Sequence, residues 1–166
     1  MHIYFDGSSK GNPGKGTSGW VILCTATRIG WAMHRHCTNN ESEYIGLIEA
    51  LKCVVDGDRP TSLTILGDSD LIIKQMTGIY NVRHPRLVEL HTKAVGLVNN
   101  LRQGGCNNIT FTHVGRRNNV LADYLTNIPY TLNAPPRRFD CVIVNKRITT
   151  TKKLESVIKT ALNTQF

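Results

Sequence analysis

Four acidic side chains stand in four separate segments of the chain, each beside the predicted start or end of a structural element. They are Asp6, Glu43, Asp68 and Asp123. Hard cations such as Mg²⁺ prefer oxygen ligands, and a site for two divalent ions needs carboxylates from distant parts of a fold. Such ions activate a water molecule and stabilise a leaving oxygen during attack on a phosphate. The four acids are therefore a candidate split metal site.

Each acid also has a structural interpretation when it is taken alone. Glu43 can oppose the dipole of a helix N-terminus, Asp68 can cap the helix that follows it, and Asp6 can belong to a turn before Gly7. Carboxylates that crowd together repel one another, and their pKa values rise unless a cation lies between them. We expect the set of four to bind cations rather than to serve four unrelated structural purposes.

The elements that must position these acids follow from hydrophobic periodicity and turn residues. Strand-like patterns occupy residues 2–5, 19–24 and about 28–36, which predict an antiparallel meander, and then 62–66 and 109–114. Helical spacing of apolar residues covers residues 41–55, about 69–76, 85–103 and 119–126. The predicted order is βββαβααβα. If the first and fourth strands are neighbours, their ends bring Asp6 and Asp68 together.

Length and composition limit the class of protein. At 166 residues the chain fits one domain, possibly with an appendage. It has no run of about 20 apolar residues and begins directly with a strand-like stretch, so we expect a soluble cytoplasmic protein without a membrane span or signal peptide. Five scattered cysteines show no zinc or disulfide spacing, and we expect them to be reduced and mostly buried. The net charge of +8 favours a polyanionic partner.

Four segments carry a resemblance to a known family. Residues 6–14 (Asp-Gly-Ser-Ser-Lys-Gly-Asn-Pro-Gly) resemble the signature at the end of the first strand of type 1 ribonuclease H. Residues 38–43, 68–69 and 119–123 are similar to the family's second, third and fourth acidic segments, in the same order and with compatible spacing. The resemblance covers residues 1–128. It implies an α/β, RNase H-like fold with a five-stranded mixed sheet flanked by helices.

The resemblance also implies an activity. Members of this family hydrolyse the RNA strand of RNA/DNA hybrids and leave 5′-phosphate ends. It assigns Asp6, Glu43, Asp68 and Asp123 as ligands of two Mg²⁺ ions, for which Mn²⁺ can substitute. It further implies that Glu43 touches the RNA 2′-hydroxyl, the group by which a protein distinguishes RNA from DNA.

Substrate contacts are implied at a second set of residues, whose side chains can read backbone shape without reading base sequence. Asn12-Pro13-Gly14 also suits an ordinary turn, and Thr38 to Asn40 an ordinary helix cap, and both roles can hold at once. We expect Ser8, Ser9 and Lys10 to be solvated loop residues. The expected substrate contacts are Asn12, Thr38, Asn39, Asn40, Gln75, Arg116 and Asn119.

Two features of the best-known cellular members are not clear in this sequence, namely a histidine on a flexible loop before the last acid and a lysine-rich protrusion between the middle helices. The segment 114–119 resembles the compact subgroup, in which an arginine near the strand end replaces the histidine loop. Arg116 or Arg117 can neutralise phosphate charge there. His113 lies within the predicted strand, where we expect a structural role, and His34 and His36 are predicted to be surface residues.

Residues 129–166 form a basic C-terminal extension that the family pattern does not explain. Seven Lys or Arg stand against two acids, a net charge of +5. Pro135-Pro136 is typical of a linker, residues 139–144 of a strand, and residues 151–162 of an amphipathic helix. The extension either raises affinity for the hybrid or covers part of the domain, and the sequence leaves both open.

Three functions are compatible with these patterns. The first is a Mg²⁺-dependent endoribonuclease that acts on RNA/DNA hybrids as a monomer. The second is a non-catalytic hybrid-binding module, which four intact acids disfavour. The third is another polynucleotidyl-transfer enzyme of the same broad fold, whose members resemble the segments at 6–14 and 38–43 poorly.

Overall fold

The computed structural model describes residues 1–24, 27–57 and 59–130 with their side chains, and the backbone of residues 131, 139–144 and 147–148. The strands are β1 (His2–Gly11), β2 (Gly14–Leu23), β3 (Thr27–Cys37), β4 (Ser62–Gly67), β5 (Asn108–His113), β6 (Phe139–Val144) and β7 (Arg147–Ile148). The helices are α1 (Asn39–Val55), α2 (Asp70–Met76), α3 (Pro85–Gln103) and α4 (Val120–Thr131), with a short 3-10 turn at Arg116–Asn118. The predicted order of the first nine elements is confirmed.

The sheet is mixed, as expected. Its order is β5-β4-β1-β2-β3, and β6 and β7 continue it beyond β3. The first three strands pair antiparallel, as a meander does. β4 lies parallel to both β1 and β5, and both pairings finish at the same edge of the sheet, at Phe5, Gly67 and His113. Ligand sites of α/β sheets commonly lie outside such strand ends.

The helices pack on the sheet in two groups, α1 to α3 in one and α4 in the other. The main core joins residues of β1, β2 and β4 to the apolar sides of α1, α2 and α3. The buried α4 residues Leu121, Leu125 and Ile128 lie outside that cluster, where α4 packs mainly on β2. α1 and α4 are the two helices that carry Glu43 and Asp123, and both pack against the central strands.

β1 and β2 are longer than predicted, and the expectation that residues 8–10 form a solvated loop is wrong. β1 continues to Gly11 and pairs with β2 through a two-residue connection at Asn12 and Pro13. Gly11 adopts a φ of +86°, a conformation that a glycine reaches at little cost. The Ser9 hydroxyl donates to the Cys37 carbonyl at 2.8 Å, which ties the end of β1 to the end of β3.

α4 extends five residues past its predicted end and contains Pro129. Proline removes one helical hydrogen bond, so local propensity predicts an earlier end. Ile128 and Pro129 are nevertheless buried, and packing of this kind outweighs propensity. The predicted division between residues 128 and 129 therefore falls inside a helix.

The strand predicted at residues 139–144 is present as β6. It pairs antiparallel with β3, from Trp31 opposite Phe139 to Thr27 opposite Ile143. The predicted linker at Pro135-Pro136 and the predicted helix at 151–162 lie outside the described residues. The extension thus contributes backbone pairing to the open edge of β3.

Two predictions from composition concern cysteines and membrane spans. Among the described cysteines, Cys37 and Cys106 are buried and Cys24 and Cys53 are half-buried. In the described ranges, no helix combines the length and the apolar character that crossing a bilayer requires.

Candidate active site

Asp6 lies within β1. Its side chain is buried, and its Oδ1 accepts a hydrogen bond from the Gly7 backbone N–H at 2.8 Å. Burial raises the pKa of Asp6 to about 8, and the negative charge of Asp68 adds to the rise, against the lowering effect of the Gly7 hydrogen bond. Asp123 and Glu43 raise this pKa further. The fold therefore brings the other three acids within electrostatic reach of Asp6.

The parallel pairing of β1 and β4 explains why Asp6 and Asp68 meet. Phe5 is paired with Gly67, and each acid is the next residue along its strand. The interpretation of Asp68 as the cap of α2 is wrong, because the Ser69 hydroxyl caps that helix by accepting from the Ile72 N–H. The carboxylate of Asp68 is thereby left for contacts at the strand ends.

Glu43 enters from the first turns of α1 and is also buried. Its Oε1 accepts a hydrogen bond from Asn39 Nδ2 at 3.1 Å. Its Oε2 is buried and has no hydrogen-bond partner among the described atoms. Burial raises the pKa of Glu43 to about 7; the nearby Ser69 side chain opposes the rise, and the negative charge of Asp68 adds to it.

A capping box determines where α1 begins and hence where Glu43 points. Thr38 is the N-cap, and its Oγ1 accepts from the Glu41 N–H at 3.3 Å while Glu41 Oε2 accepts from the Thr38 N–H at 2.6 Å. Glu41 is buried and also lies 3.5 Å from a guanidinium nitrogen of Arg86 on α3. The helix-cap interpretation of this segment is confirmed, and the cap also orients the neighbouring Asn39 and Glu43.

Asp123 lies in the first turns of α4 and is partly open to solvent. Its Oδ1 accepts from the Arg116 guanidinium at 2.5 Å, with side-chain exposures of 29% for Asp123 and 77% for Arg116. Arg116 comes from the 3-10 turn that follows β5. The structure thus places the predicted phosphate-neutralising arginine directly against the fourth acid.

The donor set fits a hard divalent cation. Carboxylate oxygens are the ligands such ions prefer. The buried Glu43 Oε2 has no hydrogen-bond partner among the described atoms, and the pKa of Asp6 is raised first by burial and then by the charge of Asp68. In the arrangement shown, no three His, Cys, Asp or Glu of the described residues form a close-set group for an ion. Instead the four acids make separate hydrogen bonds, with Gly7, Asn39, Asn119 and Arg116.

Asn119 was predicted to contact the substrate, but it is fully buried at 0% exposure. Its Nδ2 donates to the Phe5 carbonyl and to Asp68 Oδ1, both at 2.9 Å. Its Oδ1 is buried without a hydrogen-bond partner among the described atoms. A side chain with no exposed surface does not fit direct contact with a nucleic acid, and this prediction needs correction.

Gln75, another predicted substrate contact, is also buried. It lies on α2, and its Oε1 accepts from the Tyr44 hydroxyl at 2.8 Å. Burial raises the pKa of Tyr44 far above its usual value, so this phenol remains a donor. Tyr44 falls within the predicted helix at 41–55, and the structure shows that its hydroxyl orients the amide of Gln75.

The remaining predicted substrate residues gather at the start of α1. Asn12, at the tip of the β1–β2 hairpin, is exposed, and its Oδ1 accepts from the Asn39 N–H at 3.2 Å. Thr38, Asn39 and Asn40 are half-buried beside it. The other side of the hairpin is held by Tyr130 of α4, whose hydroxyl donates to the Lys15 carbonyl at 2.6 Å. The Lys10 ammonium lies 3.7 Å from the centre of the same ring.

His113 is the last residue of β5 and lies next to the segment that carries Asp68. It is exposed, and its Nε2 lies 3.2 Å from the Asp68 carbonyl oxygen. This contact links the end of β5 to the segment that carries Asp68. It is compatible with the structural role expected for His113.

Comparison with known proteins places the chain in a family. Residues 4–128 match the model of the reverse transcriptase-like family. A ribonuclease HI of Halobacterium salinarum is 36% identical over 130 residues, which are 76% of this chain and 62% of that protein. A bifunctional protein of Mycobacterium tuberculosis is 35% identical over 129 residues, which are 75% of this chain and 34% of that protein. The chain therefore spans less than two thirds of these curated relatives.

Solved structures agree with this placement. RNase H1 of Halobacterium salinarum is 34% identical with a TM-score of 0.68, and the match covers 80% of this chain and 98% of that one. LC11-RNase H1, solved in complex with an RNA/DNA hybrid, is 34% identical with a TM-score of 0.67, covering 79% and 98%. The chain therefore belongs to the reverse transcriptase-like family, and in fold and sequence it is similar to type 1 ribonuclease H.

Proposed function

We propose that the protein is an endoribonuclease that hydrolyses the RNA strand of RNA/DNA hybrids with the help of two divalent ions and leaves 5′-phosphate ends. The observation that carries this proposal is the placement of the acids: Asp6 and Asp68 directly follow the paired residues Phe5 and Gly67, and Asp6 and Glu43 are buried. Burial and the three other carboxylates raise the pKa of Asp6 to about 8, in agreement with this placement. A structural cluster of acids at this position would destabilise the fold without a cation. The relative LC11-RNase H1, which was solved with an RNA/DNA hybrid, supports the class of substrate.

The four carboxylates would hold the ions, with Mg²⁺ as the expected metal and Mn²⁺ as a substitute. Bound divalent ions lower the pKa of a bound water and stabilise charge on the leaving oxygen. Asp6 and Asp68 provide a pair of carboxylates directly after the last paired residues of two parallel strands. Glu43 contributes a buried oxygen without a partner, and Asp123 a carboxylate at the more open side. No protein nucleophile is required.

Selection of RNA is proposed to occur at the start of α1. Asn12, Thr38, Asn39 and Asn40 present short polar side chains that can bind sugar and phosphate groups without reading bases. Asn39 donates to Glu43 Oε1, so substrate contact and carboxylate position are coupled in this segment. A 2′-hydroxyl both donates and accepts hydrogen bonds, and Glu43 is an acceptor for it. We expect cleavage with little sequence preference.

Arg116 is proposed to bind phosphate once ions occupy the acids. Its guanidinium is mostly exposed and always protonated, and it has further donors beyond the one that Asp123 accepts. Arginine forks match the geometry of phosphate oxygens. This position suits an arginine that neutralises charge, as in the compact subgroup that the segment 114–119 resembles.

The basic extension at 129–166 is proposed to raise affinity for the hybrid. Its net charge of +5 is more than half of the total of +8. Phosphate contacts from Lys and Arg supply most of the sequence-independent affinity for nucleic acids. The pairing of β6 with β3 attaches the extension to the sheet.

Cleavage of labelled substrates tests the proposed function. The full chain is incubated with RNA/DNA hybrid, double-stranded RNA or double-stranded DNA in Mg²⁺ or Mn²⁺, with Asp68→Asn as the control variant. The proposal expects cleavage of hybrid RNA alone by the wild type and none by Asp68→Asn. Hybrid binding without cleavage would identify a binding module instead, and cleavage of double-stranded DNA would identify a different polynucleotidyl-transfer enzyme.

A further inference from the structure

Asn119 connects three of the segments that carry the acids. Its Nδ2 donates to the Phe5 carbonyl, one residue before Asp6, and to Asp68 Oδ1. Its own carbonyl accepts from the Asp123 N–H at 3.0 Å in the first turn of α4. A single buried residue thus contacts β1, the end of β4 and the start of α4.

The orientation of the Asn119 amide follows from its partners. A side-chain amide has two N–H donors at one end and an acceptor at the other. The Phe5 carbonyl and the Asp68 carboxylate are both acceptors, so Nδ2 must face them. This orientation leaves Oδ1 buried without a partner among the described atoms, a loss that stability alone does not favour.

The chemistry of the amide suits a group that holds a metal ligand. A neutral N–H donor orients a carboxylate without neutralising it, whereas Lys or Arg at this position would compete with a cation. Outer partners of this kind orient metal ligands and affect metal affinity as much as activity. The second oxygen of Asp68 stays available because Asn119 contacts only Oδ1.

We propose that Asn119 is a positioning residue that orients Asp68 for divalent-ion binding and does not touch the substrate. This inference rests on the proposed function, since it requires Asp68 to be an ion ligand. It replaces the direct substrate contact that the sequence predicted for Asn119.

Two substitutions in the full chain test the proposal. Asn119→Ala removes the donors, and Asn119→Leu removes them while nearly keeping the side-chain volume. Asn99→Ala, on the exposed face of α3, is the matched control. Mg²⁺ affinity is measured by calorimetry, and hybrid affinity is measured separately in EDTA. We expect both Asn119 variants to lose about 10- to 100-fold in Mg²⁺ affinity, with hybrid affinity in EDTA equal to that of the wild type and the control.

A measurement on the native protein covers the case in which the variants do not fold. The side-chain ¹⁵N–¹H signals of Asn119 should be protected from solvent exchange and should shift on saturation with Mg²⁺. The absence of a shift would overturn the positioning role, and so would folded variants that bind Mg²⁺ normally but bind hybrid weakly or are only less stable. Failure of the proposed function is distinct, because the wild type itself would then neither bind Mg²⁺ nor cleave hybrid.

Discussion

Gly7 and Glu43 are in backbone contact: a Cβ built on Gly7 would lie 2.1 Å from the Glu43 backbone nitrogen. Gly46, one turn further along α1, shows a similar approach, because its Cβ would lie 2.8 Å from the Asp6 carbonyl oxygen. α1 therefore lies directly on β1 at Asp6 and Gly7. This contact places Glu43 beside Asp6, and it gives a physical reason for the glycine that follows the first acid.

Substitution of Gly7 by alanine should destabilise the protein, because backbone atoms of α1 cannot move aside as a flexible side chain can. Overpacking of this kind costs about 1–3 kcal/mol or more in the free energy of unfolding. Gly96→Ala is the control, since nothing lies within 4 Å of its Cβ position on α3. That control should stabilise the helix by about 0.5–1 kcal/mol. Denaturant unfolding of both variants checks the prediction, and equal stability of Gly7→Ala and wild type would contradict it.

The stability of the protein in EDTA should depend on Asp6 in a defined pH window. The folded protein holds the Asp6 proton up to about pH 8, whereas the unfolded chain releases it near 3.8. The folded state therefore binds more protons between these values, and the contribution of Asp6 to stability falls as the pH rises. Asp6→Asn removes this dependence, so at pH 8 it should be more stable than the wild type by more than about 1.4 kcal/mol, the equivalent of one pKa unit.

The measurement is chemical unfolding in EDTA across pH 4 to 9, compared with Asp56→Asn, an exposed acid at the end of α1. Added Mg²⁺ should restore stability to the wild type at pH 8 and help Asp6→Asn less. If Asp6→Asn proves less stable than the wild type at pH 8 in EDTA, burial and the neighbouring acids do not destabilise the ionised carboxylate of Asp6.

Removal of the Arg116 side chain should affect Mg²⁺ affinity and hybrid affinity differently, because the first depends on the ion pair with Asp123 and the second on the proposed phosphate contact. Arg116→Ala loses a mostly exposed ion pair, and such pairs contribute about 0–1 kcal/mol, so Mg²⁺ affinity should change by no more than about fivefold. Loss of one phosphate contact should instead weaken hybrid binding and reduce its salt dependence by about one unit of slope. Arg102→Ala is a suitable control, because Arg102 is exposed in the last turn of α3, before β5 begins, whereas Arg116 follows the end of β5. Unchanged hybrid affinity at low and high salt would show that Arg116 serves Asp123 alone.

Deletion of residues 132–166 should weaken hybrid binding while leaving α4 complete. The deletion point follows Thr131 because Tyr130 contacts the hairpin that carries Asn12. Loss of basic residues should lower affinity and make its salt dependence less steep. Loss of the β6 pairing should also lower stability. If stability falls while affinity and salt dependence stay unchanged, the extension covers the sheet edge and has no binding role.

The sequence predicted the order of elements and the convergence of acids because both depend on strong local signals. Alternating apolar residues in 109–114 and the helical spacing after Glu41 identify their elements without tertiary information. Asp6 and Asp68 meet because each directly follows the last pair of the parallel β1–β4 pairing, Phe5 and Gly67, although β1 itself continues to Gly11. The Thr38 cap was also visible, since its acidic partner stands three residues later.

Contacts between distant segments account for what the sequence did not show. Asn119 looked like a substrate residue, and its burial depends on partners 114 and 51 residues away. His34 was predicted to be a surface residue, but it is half-buried and its Nε2 lies 2.8 Å from the Ser18 hydroxyl on β2. Burial lowers the pKa of His34, whereas His36 on the same strand is exposed as expected.

Anomalous scattering from a crystal of the protein with Mn²⁺ and an RNA/DNA hybrid tests the central claim most directly. The account predicts two Mn²⁺ peaks in contact with carboxylate oxygens of Asp6, Glu43, Asp68 and Asp123, beside a phosphate of the RNA strand. Peaks elsewhere on the protein, or a hybrid seated away from these acids, would contradict it.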